Sequence, residues 1–179
     1  MNITVYLGSS DGVRPVYRQA ATALGEWIGS AGHTLIYGGS NVGLMGVLAD
    51  AVLSCGGKVI GVEPRFFMAE EIQHTSITEL IVTDTMAQRK QKMIELGEAF
   101  VTFPGGVGTL EEITEVMTLA KLGRLNKPFV FLNIDGYYEP FRQLLQHIAT
   151  EGFVESEWTE KIYYAATIAD MASYLSMNR

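Results

Sequence analysis

The sequence predicts a doubly wound α/β fold, a mostly parallel sheet with helices on both faces, and three observations carry that expectation. Short runs rich in β-branched residues alternate with segments of helical period nearly from end to end, the pattern of buried parallel strands joined by crossover helices. Glycine-rich loops follow the first, second and fifth expected strands, and open α/β sheets bind ligands at that carboxyl edge. The chain has 179 residues, 47% of them hydrophobic and 18% charged, enough for one domain with its own core and short of two. One domain spanning residues 1–179 is therefore expected, with no linker, repeat or low-complexity stretch.

Ile3 to Leu7 (ITVYL) reads as the first strand and Gly8-Ser9-Ser10-Asp11-Gly12 as its loop. A helix from about Pro15 to Ala31 follows, with proline in the first turn where its missing N–H costs little. Thr34 to Tyr37 is the second strand; Gly38-Gly39-Ser40-Asn41 then opens a helix with apolar positions Leu44, Val47, Leu48, Ala51 and Cys55. Lys58 to Val62 is the third strand. Residues 63–78 read as irregular, with Pro64 and the acidic pair Glu70 and Glu71. Leu80 to Val82 is the fourth strand, and Thr85 caps a helix to about Leu96. Ala99 to Phe103 is the fifth strand and leads into Pro104-Gly105-Gly106-Val107-Gly108-Thr109. A helix from Thr109 to Leu122, a strand from Pro128 to Leu132 and a helix from Tyr138 to Glu151 come next. A short strand near Ile162 to Tyr164 and a helix near Ile168 to Leu175 complete the chain.

Charge narrows the function classes. Thirteen Lys and Arg against twenty Asp and Glu leave a formal charge of −7, which disfavours a non-specific grip on nucleic acid or an anionic membrane. Any phosphate must be held by a local arrangement that overrides the global sign. The lone Cys55 excludes an internal disulfide and, among apolar neighbours, reads as a buried thiol in a reducing compartment, so a cytoplasmic protein is expected. The opening MNITVYLGSS lacks a basic region followed by a long apolar run, so no secretory leader is expected, and no apolar stretch reaches membrane-spanning length. His33, His74 and His147 have no metal-ligand spacing, so no metal is expected. A hydrolase nucleophile of the G-x-S-x-G kind is absent as well.

Three glycine-rich loops remain as places for a ligand. Gly105 to Thr109 joins a strand to a helix, where glycines allow close backbone approach and the free N–H groups of the helix start attract an anion. It lacks the lysine of a Walker A loop and the position of a dinucleotide fingerprint, so a mononucleotide phosphate suits it better, against the alternative of a tight turn with no ligand. Gly38, Gly39 and Met45 belong to a second such junction, and Ser9 to a weaker third; close helix–sheet packing explains their glycines nearly as well. Thr109 and Glu112 have the spacing of a capping box. Helical geometry also places Glu112 on the flank of the apolar stripe Leu110, Ile113, Val116, Met117 and Ala120, with Glu111 and Glu115 nearly opposite. Helix starter and ligand-facing carboxylate both remain open for it. On the preceding helix, Met86, Met93 and Gly97 mark the inward face, with Lys90 inside that stripe and Arg89 at its edge. Basic groups there either bend to solvent or meet carboxylates and a substrate phosphate.

These motifs resemble the Lonely Guy (LOG) family of nucleoside 5′-monophosphate phosphoribohydrolases, in order from VYLGSS through YGGSNVGLMG, MAQRKQKM and PGGVGTLEE to KPFVFLNIDGYY. The resemblance implies a Rossmann-like domain and hydrolysis of the N-glycosidic bond of a nucleoside 5′-monophosphate, a cytokinin riboside 5′-monophosphate or AMP. It implies Arg89 and Glu112 as the catalytic pair, with Lys90 and the turn Gly105, Gly106, Val107, Gly108, Thr109, Leu110 and Glu111 as nucleotide contacts. Glu71 corresponds to an acidic position upstream, in a segment, RFFMAEEIQHT, that departs from the family pattern. A homodimer is implied too, with the flank of the signature helix and the tail Trp158 to Tyr164 available for contact. No cofactor is expected: nothing suggests a pyridoxal phosphate site with its Schiff-base lysine. A nucleotide-like cofactor carrier or sensor of related fold is the alternative.

Overall fold

The computed structural model describes residues 1–70 and 73–178, without the side chains of residues 68–70. Seven strands form one parallel sheet: β1 (Asn2–Tyr6), β2 (Thr34–Tyr37), β3 (Lys58–Pro64), β4 (Glu79–Thr83), β5 (Ala99–Thr102), β6 (Phe129–Leu132) and β7 (Tyr163–Ala165). Their spatial order is β4-β3-β2-β1-β5-β6-β7. The order reverses direction between β1 and β5, whose register pairs Ile3 with Ala99 and Tyr6 with Thr102. The loops that leave β1 and β5 therefore diverge to opposite faces and open a crevice between them.

Helices α1 (Pro15–Ser30), α2 (Gly43–Ser54) and α7 (Ile168–Met177) cover one face, packing Leu24, Leu48 and Leu175 against Ile3, Val5, Leu35 and Val101. On the other face lie α3 (Met86–Leu96), α4 (Val107–Lys121), α5 (Glu139–Thr150) and α6 (Ser156–Glu160). Met93, Ile113 and Val116 meet Tyr6, Ile36, Phe100 and Phe131 there. Side chains alternate along each strand, so Val5 and Tyr6 enter different cores.

The expected doubly wound architecture is thus found, with differences that have physical causes. Glycine at 106 is the N-cap of α4, and the helix starts at Val107, before the expected Thr109. Residues 65–70 of the irregular segment wind into a 3-10 helix. The five-residue α6 was not anticipated, because so short a segment carries no readable period. Cys55 is exposed, contrary to the expectation of a buried thiol; it is the C-cap of α2, past the last turn that meets the core. In α3 the inward position belongs to Arg89, which is buried with Met93 one turn on, while Lys90 sits at the flank and Met86 is partly exposed. The expected stripe is rotated because Arg89 finds polar partners inside, so a charged side chain takes a place that an apolar pattern would not assign to it. Among the described residues no helix is long and apolar enough to cross a membrane.

Candidate active site

Helix α3 starts at Thr85, whose side chain accepts from Gln88 N–H while Gln88 returns a bond to the Thr85 N–H. That reciprocal cap fixes the first turn and delivers Arg89 under the carboxyl edge of β2 and β3. Its Nε donates to the Val62 carbonyl at 3.0 Å and its Nη1 to the Glu112 carboxylate. Both partners of this ion pair are buried. Burial pushes the Glu112 carboxyl above the ordinary glutamate range, and the Arg89 guanidinium pulls it back part of the way. Tyr6, buried beside the pair, has its phenol raised by that burial and by the nearby Glu112 charge.

The guanidinium needs space that the chain supplies at Gly38. A Cβ added there would lie 2.5 Å from Arg89 Nη2, closer than nonbonded atoms approach, and a tight 3.1 Å from the Met45 methyl. Glycine at 38 is therefore the condition for the Arg89–Glu112 geometry. On the other side of the crevice, Gly8 N–H donates to the Pro104 carbonyl at 3.2 Å. A Cβ on Gly105 would fall 2.7 Å from Gly8 N, so the loops after β1 and β5 touch backbone to backbone.

A cavity of about 330 Å³ opens beside the ion pair, within the range of small-ligand sites. Its lining combines Arg89 and Glu112, Ser9, the first turn of α4 (Gly106 to Thr109) with Glu111, and the apolar Met45, Phe67 and Met86. The α4 N-terminus offers N–H groups without intrahelical acceptors, so the lining brings together an anion-attracting helix start, the buried Glu112 and the exposed Glu111 carboxylates, and apolar side chains. A second cavity of about 280 Å³ lies across the Gly8–Ser9 and Gly105–Gly106 backbone, lined by Tyr17, Leu44 and Tyr137.

The residues singled out in the sequence separate accordingly. Arg89, Glu112, Met45, Ser9, Gly106, Val107, Gly108, Thr109 and Glu111 line the larger cavity. Gly105 lines the adjoining one. Gly38 touches Arg89 from behind, whereas Gly39, at φ +87°, packs on Glu63 and Leu80 away from the cavity. Leu110 packs into the core. Lys90 is outside the lining and is held by Glu111 and Glu115, the latter at 2.9 Å. Glu71 lies outside the described residues. The capping box considered for Thr109 and Glu112 does not form: with Gly106 as N-cap, Thr109 is already inside α4 and Glu112 is buried against Arg89. Phe67 on the wall was missed, since it stands in a segment without periodicity.

The chain matches the family model described as "possible lysine decarboxylase" over residues 45–175. It is 47% identical over 154 residues to a cytokinin riboside 5′-monophosphate phosphoribohydrolase of Rhodococcoides fascians, covering 86% of this chain and 78% of that protein. A probable enzyme of the same name from Oryza sativa subsp. japonica is 41% identical over 169 residues, 94% of this chain and 76% of the rice protein. In fold it is similar to the molybdenum cofactor binding protein of Rippkaea orientalis, with a TM-score of 0.74, 20% identity, and coverage of 98% of this chain and 95% of that one. That last similarity is one of architecture, whereas the sequence matches extend across most of both chains; the chain belongs to the Lonely Guy family.

Proposed function

We propose that this protein hydrolyses the N-glycosidic bond of a nucleoside 5′-monophosphate, releasing the free base and ribose 5-phosphate. Its substrate is a cytokinin riboside 5′-monophosphate, as in the names of its relatives, with AMP as a second substrate. The observation that carries the proposal is the buried Arg89–Glu112 pair lining a cavity that the α4 N-terminus also lines. A phosphate at Gly106 to Thr109 sets C1′ toward the carboxylate, and the base rests on Met45, Phe67 and Met86.

Hydrolysis breaks the C1′–N bond with its electron pair leaving on the base, and forms a C1′–O bond to water, one of whose protons ends on the base. The transition state carries positive charge on the ribose. Glu112 stabilises that charge and accepts the proton from water. Arg89 keeps its proton throughout; it holds Glu112 ionised and orients it, and Val62 holds Arg89. The apolar wall suits an apolar substituent on the base. A non-catalytic carrier has no use for a buried carboxylate at C1′.

The chain acts as one nucleotide-binding unit, without nucleic acid or membrane partners. It assembles as a homodimer in the cytoplasm; the exposed Leu122 and Leu144 near the α4 and α5 flanks support the dimer as unpartnered apolar surface. The test is chromatography of AMP and isopentenyl-adenosine monophosphate after incubation with the protein and with Glu112→Gln. Free base formed by the native protein and lost in the variant supports the hydrolase. Neither nucleotide cleaved, while both protect the fold against heating, overturns it in favour of a carrier.

A further inference from the structure

The β5–α4 loop presents N–H groups to the crevice only if its carbonyls are turned elsewhere, and each of them has a partner. Phe103 O accepts from the Tyr138 hydroxyl at 2.7 Å, Pro104 O from Gly8 N–H at 3.2 Å, Gly105 O from the Tyr137 hydroxyl at 2.6 Å, and Gly106 O from Leu110 N–H at 3.1 Å. A trans peptide points its C=O and N–H in opposite directions. The bond to Gly105 O therefore fixes the Gly106 N–H, and Gly106 borders both cavities. Without that bond the Gly105–Gly106 peptide, between two residues without side chains, is free to rotate and to turn a carbonyl dipole toward a bound anion.

The chain invests a specific turn in placing this hydroxyl. Asp135 and Gly136 both take left-handed backbone, at φ 51° and 75°, conformations that Asp tolerates better than most residues and Gly accepts freely. Asn133 Oδ1 accepts from Tyr138 N–H at 2.7 Å, and Asn133 Nδ2 donates to Glu139. Asp135 is paired with Arg14. The Tyr137 ring meets the Tyr17 ring edge to face, with centroids 5.7 Å apart. Tyr138 is buried, so its hydroxyl bond also serves the core; Tyr137 is exposed at 39%, and what it gives the core comes from its ring, edge to face on Tyr138 and Tyr17, not from its hydroxyl.

We propose that Tyr137 is a positioning residue for phosphate recognition: its hydroxyl locks the Gly105–Gly106 peptide so that the Gly106 N–H donates to the 5′-phosphate of the substrate. The proposal rests on the reading of the cavity as a nucleoside monophosphate site. It assigns Tyr137 to the phosphate end of the site, through Gly105, and not to bond cleavage.

The test is Tyr137→Phe, which removes only the hydroxyl and keeps the ring on Tyr17. Titration calorimetry with ribose 5-phosphate and with ribose, on native protein and variant, reads the phosphate grip without turnover; steady-state kinetics on AMP follow. Loss of one hydrogen bond's worth of positioning weakens ribose 5-phosphate binding and raises KM for AMP by about fivefold to tenfold. The melting temperature, ribose binding and kcat stay at the native values. Unchanged ribose 5-phosphate affinity in the variant overturns the proposal, as does a loss confined to kcat. If native protein binds ribose 5-phosphate but leaves AMP intact, the hydrolase reading fails, and the ratio of the two affinities still decides the role of Tyr137. No binding of ribose 5-phosphate by native protein overturns both.

Discussion

Two ion-pair clusters join the same two helices, one residue apart in sequence on each, and they differ in almost everything that matters for chemistry. Arg89 and Glu112 are 7% and 8% exposed, line the cavity, and have a further anchor in the Val62 carbonyl. Lys90 is 18% exposed and bridges Glu111 and Glu115, which are 54% and 39% exposed. The inner pair sits in a medium where charge is costly and electrostatic fields are weakly screened. The outer cluster is screened by water and joins α3 to α4 weakly. Burial, not residue type, separates the cavity-lining pair from the surface clasp here.

The largest expected effect comes from breaking the inner pair. Arg89→Gln leaves Glu112 buried without its cation, so the fold loses about 3–5 kcal/mol, measured by denaturant unfolding. The rate of base release falls on the order of 10²-fold or more. The pH dependence has a defined sign. In the proposed mechanism Glu112 acts ionised, and burial raises its pKa, so activity is expected to be lost as pH falls through a value above the ordinary glutamate range. With the guanidinium gone that acid limb moves higher still, which a pH profile of kcat/KM in Arg89→Gln and native protein checks.

An intermediate effect is expected from Gly38→Ala. The new methyl would sit 2.5 Å from Arg89 Nη2 and displaces the guanidinium without removing any charge. Turnover drops roughly tenfold, and the melting temperature falls, though by less than in Arg89→Gln, since both charges remain to pair in a shifted geometry. A variant as active as the native protein would mean that the pair tolerates misplacement.

The smallest effect belongs to the outer cluster. Lys90→Met leaves Glu111 and Glu115, which are 54% and 39% exposed, without their cation but within reach of water, so stability falls by about 1 kcal/mol, well short of the inner pair. Its KM for AMP rises by less than about threefold, because Lys90 is outside the cavity lining and acts there only through Glu111, which is on the lining and 54% exposed. A large rise in KM would return Lys90 to the nucleotide contacts.

Most of the strand and helix order was legible, because the β-branched runs and the glycine loops mark each junction. In α3 the apolar spacing points Lys90 inward and Arg89 to the edge, the reverse of the fold, since hydrophobic periodicity has no means of recognising a buried arginine whose partners come from β3 and α4. Glu112 stayed undecided at that level, because the capping box and the ligand-facing carboxylate share one spacing; the earlier start of α4, at Val107, separates them. Phe67 and Tyr137 were illegible as site residues for a different reason. Their places depend on how a loop folds back across the edge of the sheet, and local pattern does not encode that return.

The most direct measurement is the single-turnover rate of base release from AMP by Glu112→Gln beside Glu115→Gln. The inner substitution removes the carboxylate at the cavity, and the outer one removes only one partner of Lys90. A loss on the order of 10²-fold or more in Glu112→Gln, with Glu115→Gln at the native rate, is the predicted result. Equal losses in the two variants, or an active Glu112→Gln, would contradict the account.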